Sequence, residues 1–200
     1  MPLEARDLDA EPLVQLRRWL ADAEAAGAPL PNAFALGTAD ANGVPSVRFV
    51  LLLGLDELGL RFFGNRASRK ATDVAANPLA AAAFWWPTLD RQARAAGPVR
   101  PLPDDESRAY WDTRARASRL SAWASRQGEP ISSRAELEAR VERVMRRFAE
   151  APVPLPAFWG GYLLEPTIVE FWESRRDRLH DRIEYRRRAD GRWDVRRLQP

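Results

Sequence analysis

Seven residues of this chain, GNRASRK at positions 64–70, gather two arginines, the sole lysine and a serine between a strand-like and a helix-like run. At a helix start, backbone N–H groups, the Ser68 hydroxyl and the cations Arg66, Arg69 and Lys70 would converge where the helix dipole favours an anion, the outline of a phosphate cradle. An ordinary cap flanked by solvated cations uses the same residues. Arg48, in SVRFVLLL, is a lone guanidinium in an apolar strand, so it needs a buried or interfacial anion unless it lies on a wet face. Tyr110, Arg114 and Ser118 recur at intervals of four. On one continuous helix, unbroken at Arg116, they would align a phenol, a guanidinium and a hydroxyl, a set suited to a second phosphate. In RLHDR the only histidine, His180, stands between Arg178 and Arg182. An extended strand would put those three on one face, with Leu179 and Asp181 on the other, and two flanking cations disfavour a third charge on the ring. A structural histidine fits that pattern equally well. The tryptophans in FWW and EFW, with Trp123 and Trp159, read as core, although an aromatic beside an anion site suits a flat ring ligand.

The elements that must position these groups alternate in period. Residues 11–26 place Leu13, Leu16, Trp19, Leu20 and Ala23 on one face of a helix, with Asp9 as cap and Gly27 as stop. AFALGTAD and VPSVRFVLLLGLD flank a tight ANG turn, LRFFGN makes a third strand, SRKATDVAAN a short helix, and LAAAAFWW with RQARAAGPVRPL two more strands. By pattern this is a meander of about five strands over 33–102, of the kind that closes into a barrel or sandwich. A helical insert follows over 104–150; its last helix has a capping-box pattern at Ser133 and Glu136 and a buried stripe of Leu137, Val141, Val144, Met145 and Phe148. Strands return over 160–198, with Asp190-Gly191 as a hairpin turn.

Composition narrows the chemistry. With 200 residues, 46% of them apolar and 30% charged, one domain with a full core is expected. The chain has no cysteine and one histidine, which excludes disulfides, thiolate nucleophiles and thiolate or histidine metal clusters. The 31 basic residues face 28 acidic ones and are scattered among them, so a nucleic-acid platform is not expected. No apolar run is long enough to cross a bilayer, and the N-terminal segment lacks the pattern of a secretory signal, so a cytoplasmic location is expected.

Taken in order, VRFVLLL, FFGNRASRK, TLDRQARAAGPV, YWDTRARAS, SAWASRQ, VPLPAFWGG, EFW and RLHDR resemble the motifs of the pyridoxamine 5'-phosphate oxidase family, from about residue 6 to the end. The resemblance implies an α+β, mainly β fold: a single FMN-binding split β-barrel domain over residues 1–200 with flanking helices, paired as a homodimer with FMN at the interface. It implies oxidation of pyridoxamine or pyridoxine 5'-phosphate to pyridoxal 5'-phosphate by dioxygen, giving hydrogen peroxide. Carried over by position, Arg48, Phe49, Val50, Leu51, Phe63, Gly64, Arg69, Lys70, Gln92, Gln127, Gly128, Trp172 and Arg182 would contact FMN. Tyr110, Arg114 and Ser118 would grip the substrate phosphate, and Arg178 and His180 would face the pyridine ring. No metal is implied. Where the family strand normally ends on a phosphate-binding lysine, this chain has Leu53; Arg116 or Arg119 is a candidate substitute. Leu53 also leaves open a related flavin oxidase of the phenazine-biosynthesis type, or a non-catalytic protein that binds FMN or pyridoxal phosphate.

Overall fold

The computed structural model describes residues 2–200. Helix α1, Pro12–Ala25, starts on a proline whose missing N–H costs nothing in a first turn and ends before Gly27 at φ +71°. Its apolar stripe, Leu13, Leu16, Trp19 and Ala23, is buried as expected. Asp9 is not its cap. Glu11 holds that position without a side-chain bond, and Asp9 Oδ1 instead accepts from the Glu11 N–H at 3.0 Å.

Ten strands form one antiparallel sheet: β1 Ala33–Ala39, β2 Pro45–Leu51, β3 Gly54–Leu55, β4 Leu60–Asn65, β5 Leu79–Trp86, β6 Arg91–Pro101, β7 Trp159–Leu164, β8 Ile168–Glu173, β9 Asp181–Arg187 and β10 Trp193–Arg197. The simple meander does not hold. The order is β10-β9-β8-β6-β5-β1-β2, while β4 leaves that row to pair with β3 and β7. The cause lies in β6: Arg91–Ala96 pair with β8, and Val99–Pro101 pair with β7. At the change of partner sits Gly97, where a Cβ would fall 2.2 Å from the Glu165 carbonyl oxygen, so only glycine lets the strand turn this corner. The result is a split barrel, mainly β, with helices outside it.

The barrel interior holds Phe34, Leu36, Phe62, Phe84, Trp86, Phe171 and Tyr185, and α1 closes it with Trp19 set edge-on to Phe171 at 4.9 Å. A smaller core of Trp111, Leu120, Phe148, Val153 and Trp159 underlies helices α3, Asp104–Thr113, α4, Arg116–Ala124, and α5, Arg134–Phe148. The expected α5 stripe is only partly buried: Phe148 is inside, Leu137, Val141 and Val144 are half-buried, and Met145 is 52% exposed. This helix packs chiefly on α4, so one narrow side of it meets protein. The capping box is half made. Ser133 Oγ accepts from the Glu136 N–H at 3.1 Å, but the Glu136 carboxylate turns to Ser132 and Arg140.

The outer face of the sheet is unusual for a surface. Val47, Phe49 and Leu51 on β2 and Leu79 and Trp85 on β5 are exposed, Phe49 by 78%, and small residues, Ala35 and Gly37 on β1 and Ala81 and Ala83 on β5, lie between them in register. Among the described residues no helix is long and apolar enough to cross a membrane.

Candidate functional site

A cleft of about 710 Å³ opens between β2, the end of β4 and the helical insert. Phe49, Val50, Leu51 and Leu53 form one wall, Phe63, Gly64 and Lys70 the floor, and Tyr110, Arg114, Ser118 and Gln127 the far side. Tyr110, Arg114 and Ser118 do not share a helix. α3 stops at Thr113, Arg114 is extended at φ −71°, ψ 143°, and α4 starts at Arg116. The break folds α4 back, and all three side chains still line the same cleft. Phe63 stacks on Tyr110 at 4.1 Å, while the Arg114 guanidinium lies over the Trp111 and Trp159 rings at 5.1 and 4.8 Å. Burial holds the Arg114 guanidinium below its usual pKa, partly offset by Tyr110 and reinforced by Arg119, and raises the Tyr110 phenol. Arg114 Nη1 is buried with no hydrogen-bond partner among the described residues.

The cation cluster at the floor is smaller than its sequence suggests. Helix α2, Arg69–Ala76, follows Ser68, whose hydroxyl donates to the Asn65 carbonyl at 2.7 Å and accepts from Lys70 Nζ at 2.8 Å. Lys70 is 6% exposed, also donates to Gln127 Oε1 at 2.9 Å, and has no carboxylate in reach among the described residues. Its burial, with the nearby charge of Arg48, brings its pKa down to about 8. Gly64 leaves room for this amine: a Cβ there would lie 2.7 Å from Nζ. Arg66 does not join the cradle. Its guanidinium pairs with Asp104 at 2.5 Å and covers Gly160, where a Cβ would lie 2.5 Å from it.

Arg48 has its anion within the chain. Asp73 of α2, 3% exposed, accepts from the Thr38 and Ser46 hydroxyls at 2.6 Å each, and Arg48 donates to both hydroxyls and to the Leu36 carbonyl. The Arg48–Asp73 separation is 3.7 Å, and Arg69, otherwise exposed, comes within 4.0 Å of the same carboxylate. Burial would raise the Asp73 pKa, but the bonds from Ser46 and Thr38, with the charges of Arg69 and Arg48, leave it below the usual range. Asp73 carries little in the sequence to mark it; its one signal is the spacing of four from Arg69.

The remaining expected site residues form a second group. Gln92, Trp172 and Arg182 are cross-strand neighbours on β6, β8 and β9, and the His180 ring lies 4.6 Å from Trp172. His180 Nδ1 accepts from the Arg175 N–H at 3.1 Å, which places the ring proton on Nε2. RLHDR is not extended. Residues 176–178 make one 3-10 turn with Asp177 at φ 57° and Arg178 at φ 62°, and β9 begins only at Asp181. Arg178 is therefore exposed at a turn and not on a shared strand face with Arg182. Arg182 is held by Glu170 at 2.7 Å, and Gly128 sits in an open turn at φ +93°. From Trp172 to Phe49 the sheet runs through β8, β6, β5, β1 and β2, four strand spacings or roughly 19 Å. One chain thus presents these residues as two separated groups on the same outer face.

Comparison with known proteins gives this arrangement a context. Residues 20–147 match the family model described as pyridoxamine 5'-phosphate oxidase. Residues 159–200 match the pyridoxine 5'-phosphate oxidase C-terminal dimerisation region, which supports a homodimer. The chain is 53% identical over 190 residues to a pyridoxine/pyridoxamine 5'-phosphate oxidase of Anaeromyxobacter dehalogenans, covering 95% of this chain and 96% of that one. It is 50% identical over 198 residues to the protein of the same name from Cupriavidus pinatubonensis, covering 99% and 93%. Among solved structures it is similar to PhzG from Burkholderia lata, crystallised with tetrahydrophenazine-1-carboxylic acid, with a TM-score of 0.92 and 31% identity over 99% of this chain and 98% of that one. It also shares its fold with an FMN-binding protein of Nostoc punctiforme, with a TM-score of 0.73 and 22% identity over the full length of both. Fold, ordered motifs and whole-chain identity agree: the chain belongs to the pyridoxamine 5'-phosphate oxidase family and is an oxidoreductase of the flavin-binding split-barrel type.

Proposed function

We propose that the protein oxidises pyridoxamine 5'-phosphate or pyridoxine 5'-phosphate to pyridoxal 5'-phosphate with FMN as cofactor and dioxygen as acceptor, releasing hydrogen peroxide, and that it works as a homodimer with FMN at the interface. The carrying observation is the cleft itself. It holds two cations, Lys70 and Arg114, with no acidic partner among the described residues, together with the stacked rings of Phe63 and Tyr110, which suits phosphates attached to flat rings.

The residues present fit FMN. Gly64 makes space for Lys70, and a buried ammonium held only by neutral oxygens is stabilised by an incoming phosphate. Lys70 and Arg69 would hold that phosphate, Arg48 would support it from the Asp73 network, and Phe49, Val50, Leu51, Phe63, Gly64, Gln127 and Gly128 would frame the rest, with Gln92, Trp172 and Arg182 from the second group. When bound, FMN supplies the ring that takes the hydride from the substrate and passes the electrons to dioxygen. Tyr110, Arg114 and Ser118 would fix the substrate phosphate. Arg178 and His180 would orient the pyridine ring, His180 offering the Nε2–H that its bond to Arg175 leaves available.

FMN binding should depend on pH in a stated direction. Free protein loses the Lys70 proton as pH rises through about 8, and the phosphate needs that proton, so affinity should fall above pH 8 and binding there should take up a proton. Flavin fluorescence titrations from pH 6.5 to 9.5 would show this, and Lys70→Arg should flatten the profile; a flat wild-type profile would remove Lys70 from the phosphate site.

The reading as a whole is tested by aerobic incubation of the FMN-loaded protein with pyridoxamine 5'-phosphate, following pyridoxal 5'-phosphate and peroxide. A second reading, oxidation of a different ring such as the tetrahydrophenazine bound by Burkholderia lata PhzG, is favoured by Leu53, which puts an apolar side chain on the cleft wall. Turnover of a reduced phenazine precursor, with none of the B6 phosphates, would select it.

A further inference from the structure

We propose that Arg119 is a second cation for the substrate phosphate, which makes it a specificity-determining residue for phosphorylated substrates; this rests on the reading above. A phosphate monoester carries about −1.5 to −2 charges at neutral pH, more than one guanidinium balances. The wall that carries Leu53 supplies no cation. Three arginines stand near Ser118: Arg114, Arg116 and Arg119. Arg116 is spent, because its guanidinium donates to the Ala149 carbonyl and, at 2.9 Å, to that of Ala151. Arg119 is not. Its Nε is buried without a hydrogen-bond partner, as is Nη1 of Arg114, and no carboxylate lies within ion-pair distance of either among the described residues.

Arg119 follows Ser118 on α4, and its N–H donates to the Ala115 carbonyl at 3.1 Å; Ser118 and Ala115 both line the cleft. Its charge is felt at Arg114, whose proton affinity it lowers. Two like charges, each with an unpaired buried N–H and no acid between them, are a poor arrangement for an empty protein and a favourable one around a dianion. Arg119 thereby takes over the charge that a lysine at position 53 would have provided.

The test compares FMN-loaded wild type with Arg119→Gln, Arg119→Lys and Arg119→Gln combined with Leu53→Lys. For pyridoxamine 5'-phosphate, Arg119→Gln should raise KM about 10- to 100-fold, the loss of one charged hydrogen bond, with kcat within about twofold. The residual rate on unphosphorylated pyridoxamine and the affinity for FMN should not change. Arg119→Lys should recover part of the loss, and Leu53→Lys should restore the glutamine variant. An unchanged KM, equal losses on phosphorylated and unphosphorylated substrate, or failure of Leu53→Lys to rescue a folded, yellow variant would each overturn the assignment. If wild type turns over neither B6 phosphate, equilibrium dialysis with pyridoxal 5'-phosphate decides: at least tenfold weaker binding to Arg119→Gln supports the cation site, and equal binding overturns it.

Discussion

Lys70→Met is expected to give a protein that purifies colourless and yet, free of flavin, unfolds at a higher temperature than wild type. Both effects have one source. Lys70 is 6% exposed, and among the described residues its ammonium meets only the Ser68 hydroxyl and the Gln127 amide oxygen; burial, with the nearby charge of Arg48, brings its pKa from 10.5 down to about 8. That shift corresponds to about 3 kcal/mol by which the folded, empty protein disfavours the charged amine below pH 8. The sign follows from proton counting: between pH 8 and 10.5 the unfolded chain binds the proton and the folded one does not, so wild-type stability rises with pH through that window. Methionine removes the penalty at a similar volume, and neither acceptor is stranded, since the Ser68 hydroxyl keeps its bond to Asn65 and Gln127 Oε1 its contact with the Asn65 N–H at 3.4 Å. The phosphate would lose a charged hydrogen bond of about 1.5–3 kcal/mol, a loss of roughly 10- to 100-fold in affinity. Thermal melts of flavin-free protein and FMN titrations on the same samples read both effects. A variant that loses flavin and stability together would show Lys70 to be a structural residue.

Mixing two inactive proteins should restore activity. On the proposed function, Arg114→Ala would remove the phosphate grip on the insert and His180→Ala the ring contact beside Trp172; along the sheet the Phe49 and Trp172 groups of one chain lie roughly 19 Å apart. A two-fold axis through the bare outer face would bring the Phe49 end of one copy to the Trp172 end of the other, building each site from both chains. Unfolded together and refolded in equal amounts, the two variants should form heterodimers as half of all dimers, each with one intact and one doubly damaged site, and so recover about a quarter of wild-type activity. Either variant refolded alone should stay inactive. Absence of recovery in a mixture shown by mass to contain heterodimers would place each site within a single chain.

Much of this architecture could be read from periodicity. Alternation gave β1, β2 and β5, whose residues face inward and outward by turns, whereas β7 is buried at every position and shows no such period; α1 followed from Leu13, Leu16, Trp19 and Ala23 at helical spacing. Pairing could not be read, because it is set by the corner at Gly97, and a glycine in AAGPV carries no mark of which strand it will approach. Tyr110, Arg114 and Ser118 do not share a single helix but still line one cleft, since a bend at Arg114 can place residues of two helices together as well as a continuous helix could. RLHDR misled in the other direction: strand alternation assumes extended backbone, and Asp177 and Arg178 take positive φ. Asp73 stayed hidden because its partners Thr38, Ser46 and Arg48 are 25 or more residues away.

Strand β2 carries two tasks on alternate residues. Ser46, Arg48 and Val50 turn toward the protein, where the first two meet Asp73, while Val47, Phe49 and Leu51 look outward. A one-residue slip would exchange the two sets at once, putting the guanidinium on the outer face and Phe49 against a buried carboxylate. What fixes the phase is the short turn at 40–44, where Asp40 Oδ1 accepts from the Asn42 and Val44 N–H groups and Gly43 takes φ +78°. Adding or removing one residue in that loop would shift the phase of β2 against β1, whereas substitutions at its positions other than Asp40 and Gly43 would not. The length of that loop thereby ties the Arg48–Asp73 network on one side of the strand to the apolar outer face on the other.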